Sequence, residues 1–477
     1  MSLRGIGLGF RPELAAGILA SRDVVDLLEV VFESCFVSSS AWKEAVALSA
    51  MFPIVPHGVK LSLGSAEGID RDKARLFARF ARDVRATVVT EHVAFTKSGG
   101  VDVGHLTALP FTEGAVRVVA RNLDVLRVTM ARERVDVPVL LENAAWTLRW
   151  PDDAMPEGEF HRRVVEETGA GLLLDVANVF ANAKNSGVDP FVLLRSYPLD
   201  AVKMVHLAGG ITEGGFHYDS HAHPVDEVVF GMLAEVVRVA GDVPVVLERD
   251  GRFPPFAVLA AEMTRAREVV REHAREDVLR TADVAPRALS PRVDDTVLGG
   301  EIDLARAQAT LAAHLVDESV PPSVPFDGGA VRRTRNVLER KRVDDAMPLL
   351  SNVAALGLDL SERGLGILLG TRRAPPHVAV ADAFTLARAF ERTQGPDGGA
   401  LREAAMRDRL ALAARFAERS TGDTLGRVPR FGPHVGRGTT EDGHDVWVVK
   451  GFGRSAPLRT FGRGTPAPRS ARTGGGE

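Results

Sequence analysis

Residues 171–178 read GLLLDVAN, four uncharged residues followed by Asp175 and, three positions on, Asn178. A buried parallel strand reads as such a run because both of its faces are covered, and polar residues follow at its carboxyl end. Further apolar runs end in His, Glu or Asp at residues 52–58 (FPIVPHG), 88–95 (VVTEHVAF), 137–143 (VPVLLEN), 202–208 (VKMVHLA) and 243–250 (VPVVLERD). We therefore expect a set of parallel strands, each ending in a reactive side chain.

Two more runs, residues 5–9 (GIGLG) and 27–33 (LLEVVFE), bring the predicted strands to eight within about 275 residues. Segments of helical periodicity, such as residues 70–85, separate them. This count and length predict an α/β fold, a (β/α)8 TIM barrel. An open doubly wound sheet is the alternative, but no Gly-rich phosphate turn follows the first strand. In a barrel every strand ends on one face, so the polar groups should converge in a single mouth.

Composition changes beyond residue 277, and it divides the chain into four predicted parts. We predict a metal-binding barrel at residues 1–280, a linker at 281–300 and a mainly helical domain at 301–425, where Ala, Leu and Arg recur at helical spacing. Residues 426–477 are rich in Gly and Arg and should form a partly disordered tail. Within this tail the apolar residues 446–449 (VWVV) favour one short hairpin strand.

Charge and cysteine content exclude several classes of protein. A formal net charge of -4 gives no reason to expect a nucleic acid or an anionic membrane as partner. Cys35 is the only cysteine, which excludes an intramolecular disulfide and a thiolate metal cluster and fits a reducing compartment. No secretory leader and no apolar run of about 18 residues is present. We therefore expect a cytoplasmic protein that does not cross a membrane.

Nine side chains at the predicted strand ends and in the loop at residues 219–223 (DSHAH) are candidate metal ligands. They are His57, His92, Glu142, Asp175, Asn178, His206, Asp219, His221 and Glu248. Neutral imidazole and carboxylate without thiolate suit Fe, Mn or Zn. Any one such histidine more often only makes hydrogen bonds, and an acidic residue there often caps a helix or pairs with Arg. Their recurrence on independent strands favours metal, and nine groups suggest two or three ions.

Other polar residues near these positions have weaker assignments. Asp219 and His221 are two apart, which in extended backbone points both side chains the same way. His217 and His223 share their loop and either replace a ligand or face solvent. Three residues are candidate contacts to ligands or substrate: Glu29, Asn143 and Arg249. Four histidines are assigned no function: His105, His161, His273 and His314.

Seven segments together resemble a known family. They are HGVKLSLGS (57–65), EHVAF (91–95), LLEN (140–143), TGAGLLLDVANVFANAKNSGVDP (168–190), VHLAGG (205–210), DSHAHPVDEV (219–228) and LERD (247–250). The family is the multinuclear non-heme iron oxidases of the methanobactin-biosynthesis type, TIM barrels that modify ribosomally made peptides. Carried over by position, its iron ligands fall on the same nine residues. The chain departs from the family at Ala177, where a second Asn is common, and at Ala222, where an acidic residue is common.

The resemblance implies an activity and partners. It implies two or three iron ions of mixed valence, O2 as co-substrate and oxidation of a precursor peptide, usually at cysteine, with no catalytic residue assigned beyond the cluster. Family members usually act with a small partner protein. Residues 305–315 (ARAQATLAAHL) and 338–350 (LERKRVDDAMPLL) loosely resemble such partners, so the partner function is expected either in a separate protein or fused at the carboxyl end. The alternative is an unrelated helical appendage for oligomerisation.

Two other functional hypotheses stay open at the level of sequence. A divalent-metal isomerase or hydrolase acting on a sugar or phosphoester uses similar ligands on similar barrels. A non-catalytic peptide-binding scaffold would need no metal. The basic tail is expected to be an unstructured end, with binding of an acidic leader peptide or nucleic acid as the alternative.

Overall fold

The structure is a computed structural model that describes residues 3–37, 39–274, 298–358, 360–368, 378–394, 398–416, 434–439, 445–450 and 458–462. Two compact units divide the chain, Met1–Thr334 and Arg335–Glu477. The strands of the first unit are β1 (Ile6–Gly9), β2 (Leu27–Val31), β3 (Ile54–Gly58), β4 (Val89–His92), β5 (Phe95–Ser98), β6 (Val101–Thr107), β7 (Val139–Glu142), β8 (Gly171–Asp175), β9 (Val202–Leu207), β10 (Ile211–Glu213), β11 (Phe216–Tyr218) and β12 (Val245–Leu247).

Helices separate these strands. They are α1 (Ala15–Ala20), α2 (Phe32–Val37), α3 (Ser39–Leu48), α4 (Arg71–Asp83), α5 (Glu113–Arg132), α6 (Glu157–Thr168), α7 (Val176–Ser186), α8 (Pro190–Ser196), α9 (Glu227–Ala240), α10 (Phe256–His273) and α11 (Leu298–Val316), with 3-10 helices at Pro12–Leu14 and Leu199–Ala201. Among the helices in the described ranges, none is both long and apolar enough to cross a membrane.

Eight strands close into a barrel in the order β1-β12-β9-β8-β7-β4-β3-β2, and each pairs in parallel with both neighbours. All eight strands predicted from the sequence are present, so the predicted (β/α)8 barrel is confirmed. The register places strand ends side by side, with His92 opposite Glu142 and Asp175 opposite His206. Parallel register therefore converts separate sequence motifs into one polar surface.

The structure corrects three local expectations. Asn178 does not lie on the sixth strand, because that strand ends at Asp175, whose Oδ1 accepts the backbone N–H of Asn178 at 2.7 Å and begins α7. The second strand ends at Val31 and not at Glu33, since Glu33 turns away to accept the N–H of Lys60 at 2.6 Å. The fourth strand ends at His92 and not at Phe95, because Phe95 begins an antiparallel hairpin, β5–β6, which turns at two glycines with positive φ.

Outer helices cover the barrel with their apolar faces. In α4 the carboxylate of Asp70 accepts two backbone N–H groups at the first turn, which fixes where the helix begins. Phe77 and Phe80 of α4 are fully buried, with ring centroids 5.3 and 5.9 Å from that of Phe32. Full burial of one such side chain contributes roughly 1.5–3 kcal/mol. This packing anchors the frame on which the polar strand ends are held.

Helix α11, which we predicted as the start of the helical domain, packs within the first unit. Its buried Gln308 donates to the carbonyl of Gly64 at 2.8 Å and accepts the N–H of Ala66 at 2.8 Å. Further on, the Phe326 and Trp150 rings make an edge contact at 5.1 Å. Residues 298–334 therefore contact loops that follow barrel strands β3 and β7. The predicted linker at residues 281–300 lies outside the described residues, apart from the first residues of α11.

The second unit begins within helix α12 (Gly328–Ala346). Its further elements are α13 (Ser351–Ala354), α14 (Ser361–Leu368), α15 (Val378–Phe390), α16 (Gly398–Phe416), a 3-10 helix at Met347–Leu349, and strands β13 (His434–Thr439), β14 (Asp445–Lys450) and β15 (Leu458–Gly462). Arg342 is buried and makes a bidentate ion pair with Asp382 at 2.7 and 2.8 Å. The three strands form an antiparallel sheet where we predicted a single short strand in a partly disordered tail.

Candidate metal centre

Two layers of inward-facing side chains fill the barrel. The lower layer is an apolar cluster drawn from seven strands or their first flanking residue: Leu27, Val55, Val88, Leu140, Leu173, Met204 and Val246. Side chains alternate between the faces of a strand, so the residue two positions further on also points inward. Those residues are Glu29, His57, Thr90, Glu142, Asp175, His206 and Glu248, and all are buried. Six of these seven are ionisable. All six lie within two residues of the carboxyl end of a strand.

His57 and His92 present the same ring nitrogen to the centre of this layer. The Nδ1 atom of His92 lies 3.2 Å from the carbonyl oxygen of Gly58, which can only accept, so Nδ1 carries the hydrogen. The Nδ1 atom of His57 lies 2.8 Å from the hydroxyl of Thr90, and that hydroxyl donates to the Pro56 carbonyl. In the neutral form of each ring, Nε2 therefore carries the lone pair. Hydrogen bonds of this kind fix the tautomer of metal-binding histidines.

Glu142 lies between two groups of imidazoles. Its Oε2 is 3.3 Å from Nε2 of His92 and 3.7 Å from Nε2 of His57. Its Oε1 is 3.2 Å from Nδ1 of His206, and the same nitrogen lies 3.1 Å from Oε2 of Glu248. The Glu142 carboxylate thus faces His57 and His92 on one side and His206 on the other. The two oxygens of Glu142 therefore face different imidazoles, on opposite sides of the carboxylate.

Asp175 and Asn178 combine a structural contact with a free oxygen. Oδ1 of Asp175 caps α7, whereas its Oδ2 is buried without a hydrogen-bond partner. The Asn178 amide donates to the carbonyl of Asn143 at 3.0 Å, and its Oδ1 likewise has no partner. Asn143 also exchanges two hydrogen bonds with the backbone of Asp175. The local structure therefore holds both free oxygens in place.

The loop after β11 adds Asp219 and His221. Nε2 of His221 lies 2.7 Å from Oδ2 of Asp219, and its Nδ1 lies 3.2 Å from Oε2 of Glu248. His221 has a positive φ of 49°, so the backbone here is not the extended form that we assumed from the spacing of two. Each of the two side chains is 13% exposed, whereas the other charged members of the cluster are at most 8% exposed. This pair lies on the solvent side of the cluster.

Burial and close charges move the pKa values in opposite directions. Burial alone would lower the pKa of His206, but Glu248 and Glu29 outweigh it and hold the pKa well above its ordinary value. Burial would raise the pKa of Glu142, but the imidazoles, His92 first, bring it to about 2. Burial raises the pKa of Glu29 to about 7. Without metal the cluster therefore holds protons in place of cations.

The neighbouring groups follow the same logic. Burial lowers the pKa of His57 to about 3, which keeps its ring neutral and its lone pair available. Burial, with the charge of Asp219, raises the pKa of Asp175 well above its ordinary value. For His221 the effect of burial is outweighed by Asp219 and Glu248, which raise the pKa well above its ordinary value.

The donor set fits divalent metal ions. Within the described part of the chain, five oxygens of this cluster are buried with no hydrogen-bond donor: Glu29 Oε1, Glu142 Oε2, Asp175 Oδ2, Asn178 Oδ1 and Asp219 Oδ1. Ligand atoms about 2.1 Å from one ion lie roughly 3.0–3.4 Å apart, close to the separations found around Glu142. Ligand atoms within 4.8 Å of one another occur in three overlapping groups: His57, His92 and Glu142; Glu142, Asp175, His206 and Glu248; and Glu29, His57 and Glu248. The three groups overlap because they share Glu142, His57 and Glu248.

The structure brings all nine predicted ligands into this region and adds Glu29, which sequence reasoning left as a possible contact. Glu29 could have been identified from the sequence by its position, two residues after an apolar residue that faces into the barrel. His217 and His223 stay outside the cluster, bonded to Thr212 and Ser220 at 2.9 Å each. Arg249 pairs with Glu262 at 3.0 Å and not with the cluster.

Comparisons with known proteins bear on the barrel. A profile of the RiPP precursor modification enzymes MbnB/TglH/ChrH matches residues 5–271. A UPF0276 protein of Streptomyces avermitilis is 35% identical over 275 residues, 56% of this chain and 55% of that protein, so this chain spans about half of that relative's length. A UPF0276 protein of Caulobacter vibrioides is 34% identical over 265 residues, 55% of this chain and 93% of that protein. Endonuclease IV from Thermus thermophilus aligns with a TM-score of 0.39 and 16% identity, over 57% of this chain and 100% of that one.

Proposed function

This chain belongs to the family of RiPP precursor modification enzymes MbnB/TglH/ChrH, and from that premise we propose that it is a multinuclear iron oxidase of a ribosomally made precursor peptide. O2 is the proposed oxidant and accepts the electrons that the peptide loses. Cysteine is the proposed target residue, as the resemblance to the iron oxidases implies. The observation that carries the proposal is the buried polar layer, in which imidazoles and carboxylates face one another and five oxygens have no hydrogen-bond donor among the described residues.

The charge of the cluster supports more than one ion. Its five carboxylates, from Glu29, Glu142, Asp175, Asp219 and Glu248, carry five negative charges when ionised. Two divalent cations would leave about one negative charge and three would leave about one positive charge. A single cation would leave several buried charges uncompensated, which is strongly unfavourable. We therefore propose two or three iron ions, held by the nine predicted ligands.

Iron bound in this cluster would supply the one-electron chemistry and the activation of O2. The protein's own residues do three other things. The Thr90 hydroxyl and the carbonyls of Gly58 and Asn143 hold three of the predicted ligand side chains in fixed orientations by hydrogen bonds: His57, His92 and Asn178. The apolar layer beneath closes the barrel on its lower side and keeps water out. The pair of Asp219 and His221, which is less buried than the rest of the cluster, marks the side from which a peptide side chain would reach it.

The test is metal content combined with O2 dependence. Protein purified without oxygen should contain about two to three irons per chain and should consume O2 only when a precursor peptide is added. Protein that turns over with zinc or manganese and without O2 would contradict the oxidase proposal and favour a divalent-metal isomerase or hydrolase. Protein in which His206→Ala changes neither peptide affinity nor product profile would favour a peptide-binding scaffold.

We also propose that residues 298–334 serve the role of a fused partner for the barrel. This proposal is supported by the packing of Gln308 and Phe326 against loops that follow barrel strands β3 and β7. If this holds, the purified chain and peptide should suffice for turnover. A requirement for a second protein would refute it, and a dimer that dissociates when α11 is altered would favour the oligomerisation alternative.

A further inference from the structure

We propose that Glu29 positions His206 by accepting the hydrogen of its Nε2, which leaves Nδ1 as the nitrogen that faces a metal ion. The inference rests on the metal-dependent function proposed above. It adds a residue that lies outside the nine ligands and states which atom of His206 binds.

The two ring nitrogens of His206 have different surroundings. Nδ1 lies 3.2 Å from Oε1 of Glu142 and 3.1 Å from Oε2 of Glu248, which are both predicted ligands. Nε2 lies 3.0 Å from Oε2 of Glu29, a normal hydrogen-bond distance. A neutral imidazole has one lone pair and one N–H. Since the carboxylates that bind metal gather around Nδ1, the hydrogen belongs on Nε2 and its acceptor is Glu29.

A rival assignment makes Glu29 a ligand, together with His57 and Glu248. The nitrogen of His57 on that side is Nδ1, which lies 3.8 Å from Oε2 of Glu29. That nitrogen is only 2.8 Å from the Thr90 hydroxyl, so it donates there and has no lone pair to offer. The hydrogen bond to Thr90 therefore disfavours an ion at this position. Glu29 and Thr90 then have matching tasks, since each fixes one histidine of the cluster.

The position of Glu29 suits this task. It is 1% exposed and lies on β2, where neighbouring strands pair with it on both sides. Its Oε1 has no hydrogen-bond partner in the described residues, so replacing that oxygen by an amide NH2 group removes no existing hydrogen bond. Glu29→Gln should therefore keep the acceptor for His206 Nε2. Glu29→Asp keeps the charge but is one methylene shorter and withdraws the acceptor.

The experiment compares these variants in the full chain by titration of metal-free protein with cobalt(II), whose visible spectrum reports ligand geometry. Loss of a hydrogen bond to a metal-binding histidine weakens metal affinity by about 10–100-fold. Glu29→Asp and Glu29→Ala should show this loss at one site with an unchanged number of sites and a shifted cobalt spectrum. Glu29→Gln should bind within about threefold of wild type, with the wild-type spectrum.

A matched control removes another buried carboxylate. Glu157 is buried and accepts hydrogen bonds from Tyr197 at 2.5 Å and Asn182 at 2.7 Å, outside the cluster. Glu157→Gln should leave cobalt affinity and spectrum unchanged. Circular dichroism of the metal-free proteins verifies folding, and Glu29→Gln, which keeps size and shape, carries the test if Glu29→Ala does not fold.

Three results would overturn the inference. If Glu29→Gln and Glu29→Asp both lose one equivalent of cobalt, Glu29 is a ligand. If all three variants bind like wild type, Glu29 has no role in the site. If wild type itself binds no cobalt, iron or zinc, the proposed metal-dependent function fails and this inference with it. Cobalt binding by the wild-type protein thus separates failure of the two proposals.

Discussion

Glu142 joins the two halves of the cluster, so Glu142→Gln should remove more metal than the loss of a histidine at the edge. Its Oε2 faces Nε2 of His92 at 3.3 Å, and its Oε1 faces Nδ1 of His206 at 3.2 Å. An amide offers one oxygen and cannot bridge two cations. Glutamine has the same shape as glutamate, so the barrel should keep its packing. His92→Ala, in contrast, removes a ligand from one side only.

The expected magnitude follows from mass action. An ion at 100 times its dissociation constant stabilises the folded protein by about 2.7 kcal/mol per independent site. Two such sites give roughly 5 kcal/mol, or a rise in Tm of roughly 10–20 °C at about 2–4 °C per kcal/mol. His92→Ala should keep about half of that rise. Glu142→Gln weakens both sites and should keep less than about 1 kcal/mol, or less than about 4 °C.

The assay is thermal unfolding followed by circular dichroism, with and without iron(II) under anaerobic conditions, together with iron per chain. Glu157→Gln serves as the control for loss of a buried carboxylate outside the cluster and should keep the full rise in Tm. The bridging assignment fails if Glu142→Gln keeps as large a rise as His92→Ala, because one ion would then suffice to explain both.

Three further predictions concern the pH dependence of stability, the hydrogen bonds of Gln308 and the close packing around Gly209. The raised pKa values of His206 and His221 stabilise the metal-free protein fully below about pH 6.5, and this stability is lost as pH rises through the folded-state pKa. The Tm of the metal-free protein should therefore fall as pH is raised above about 6.5, whereas metal affinity should rise because binding displaces those protons. Gln308→Ala leaves the buried carbonyl of Gly64 unsatisfied, together with the partly buried N–H of Ala66, and should lower the free energy of unfolding by about 1–3 kcal/mol in urea titrations. Gly209→Ala places a Cβ 2.1 Å from a backbone oxygen of the loop that follows His221 and should weaken metal binding measured by titration, whereas Gly251→Ala meets no atom within 4 Å and should not.

The barrel, and the polar side chains that gather at one end of it, could be predicted from the sequence because both depend on local patterns. An apolar run that ends in a carboxylate or imidazole identifies both a parallel strand and its carboxyl end, as residues 171–175 show. Glu29 was harder to assign because it lies inside its run, two residues before the strand ends at Val31. Only the closed barrel shows that Glu29 shares a layer with His57 and His206. The side of each imidazole that faces the cluster likewise depends on contacts between strands, such as His57 with Thr90, and no local pattern reports them.

The same layering explains how the fold tolerates this cluster. Buried carboxylates without donors destabilise a protein, and the raised pKa values of Glu29 and Asp175 show that the metal-free state compensates by holding protons. This destabilisation is confined to the polar layer, since the residues two positions earlier on the same strands are apolar and closely packed. The apolar lower layer therefore stabilises the barrel, and the polar layer above it contributes little to folding and can be arranged to bind cations. Metal-free protein should accordingly be folded but less stable than metal-bound protein. The gain in stability on adding metal then measures how much of the charge in the polar layer is compensated by bound cations.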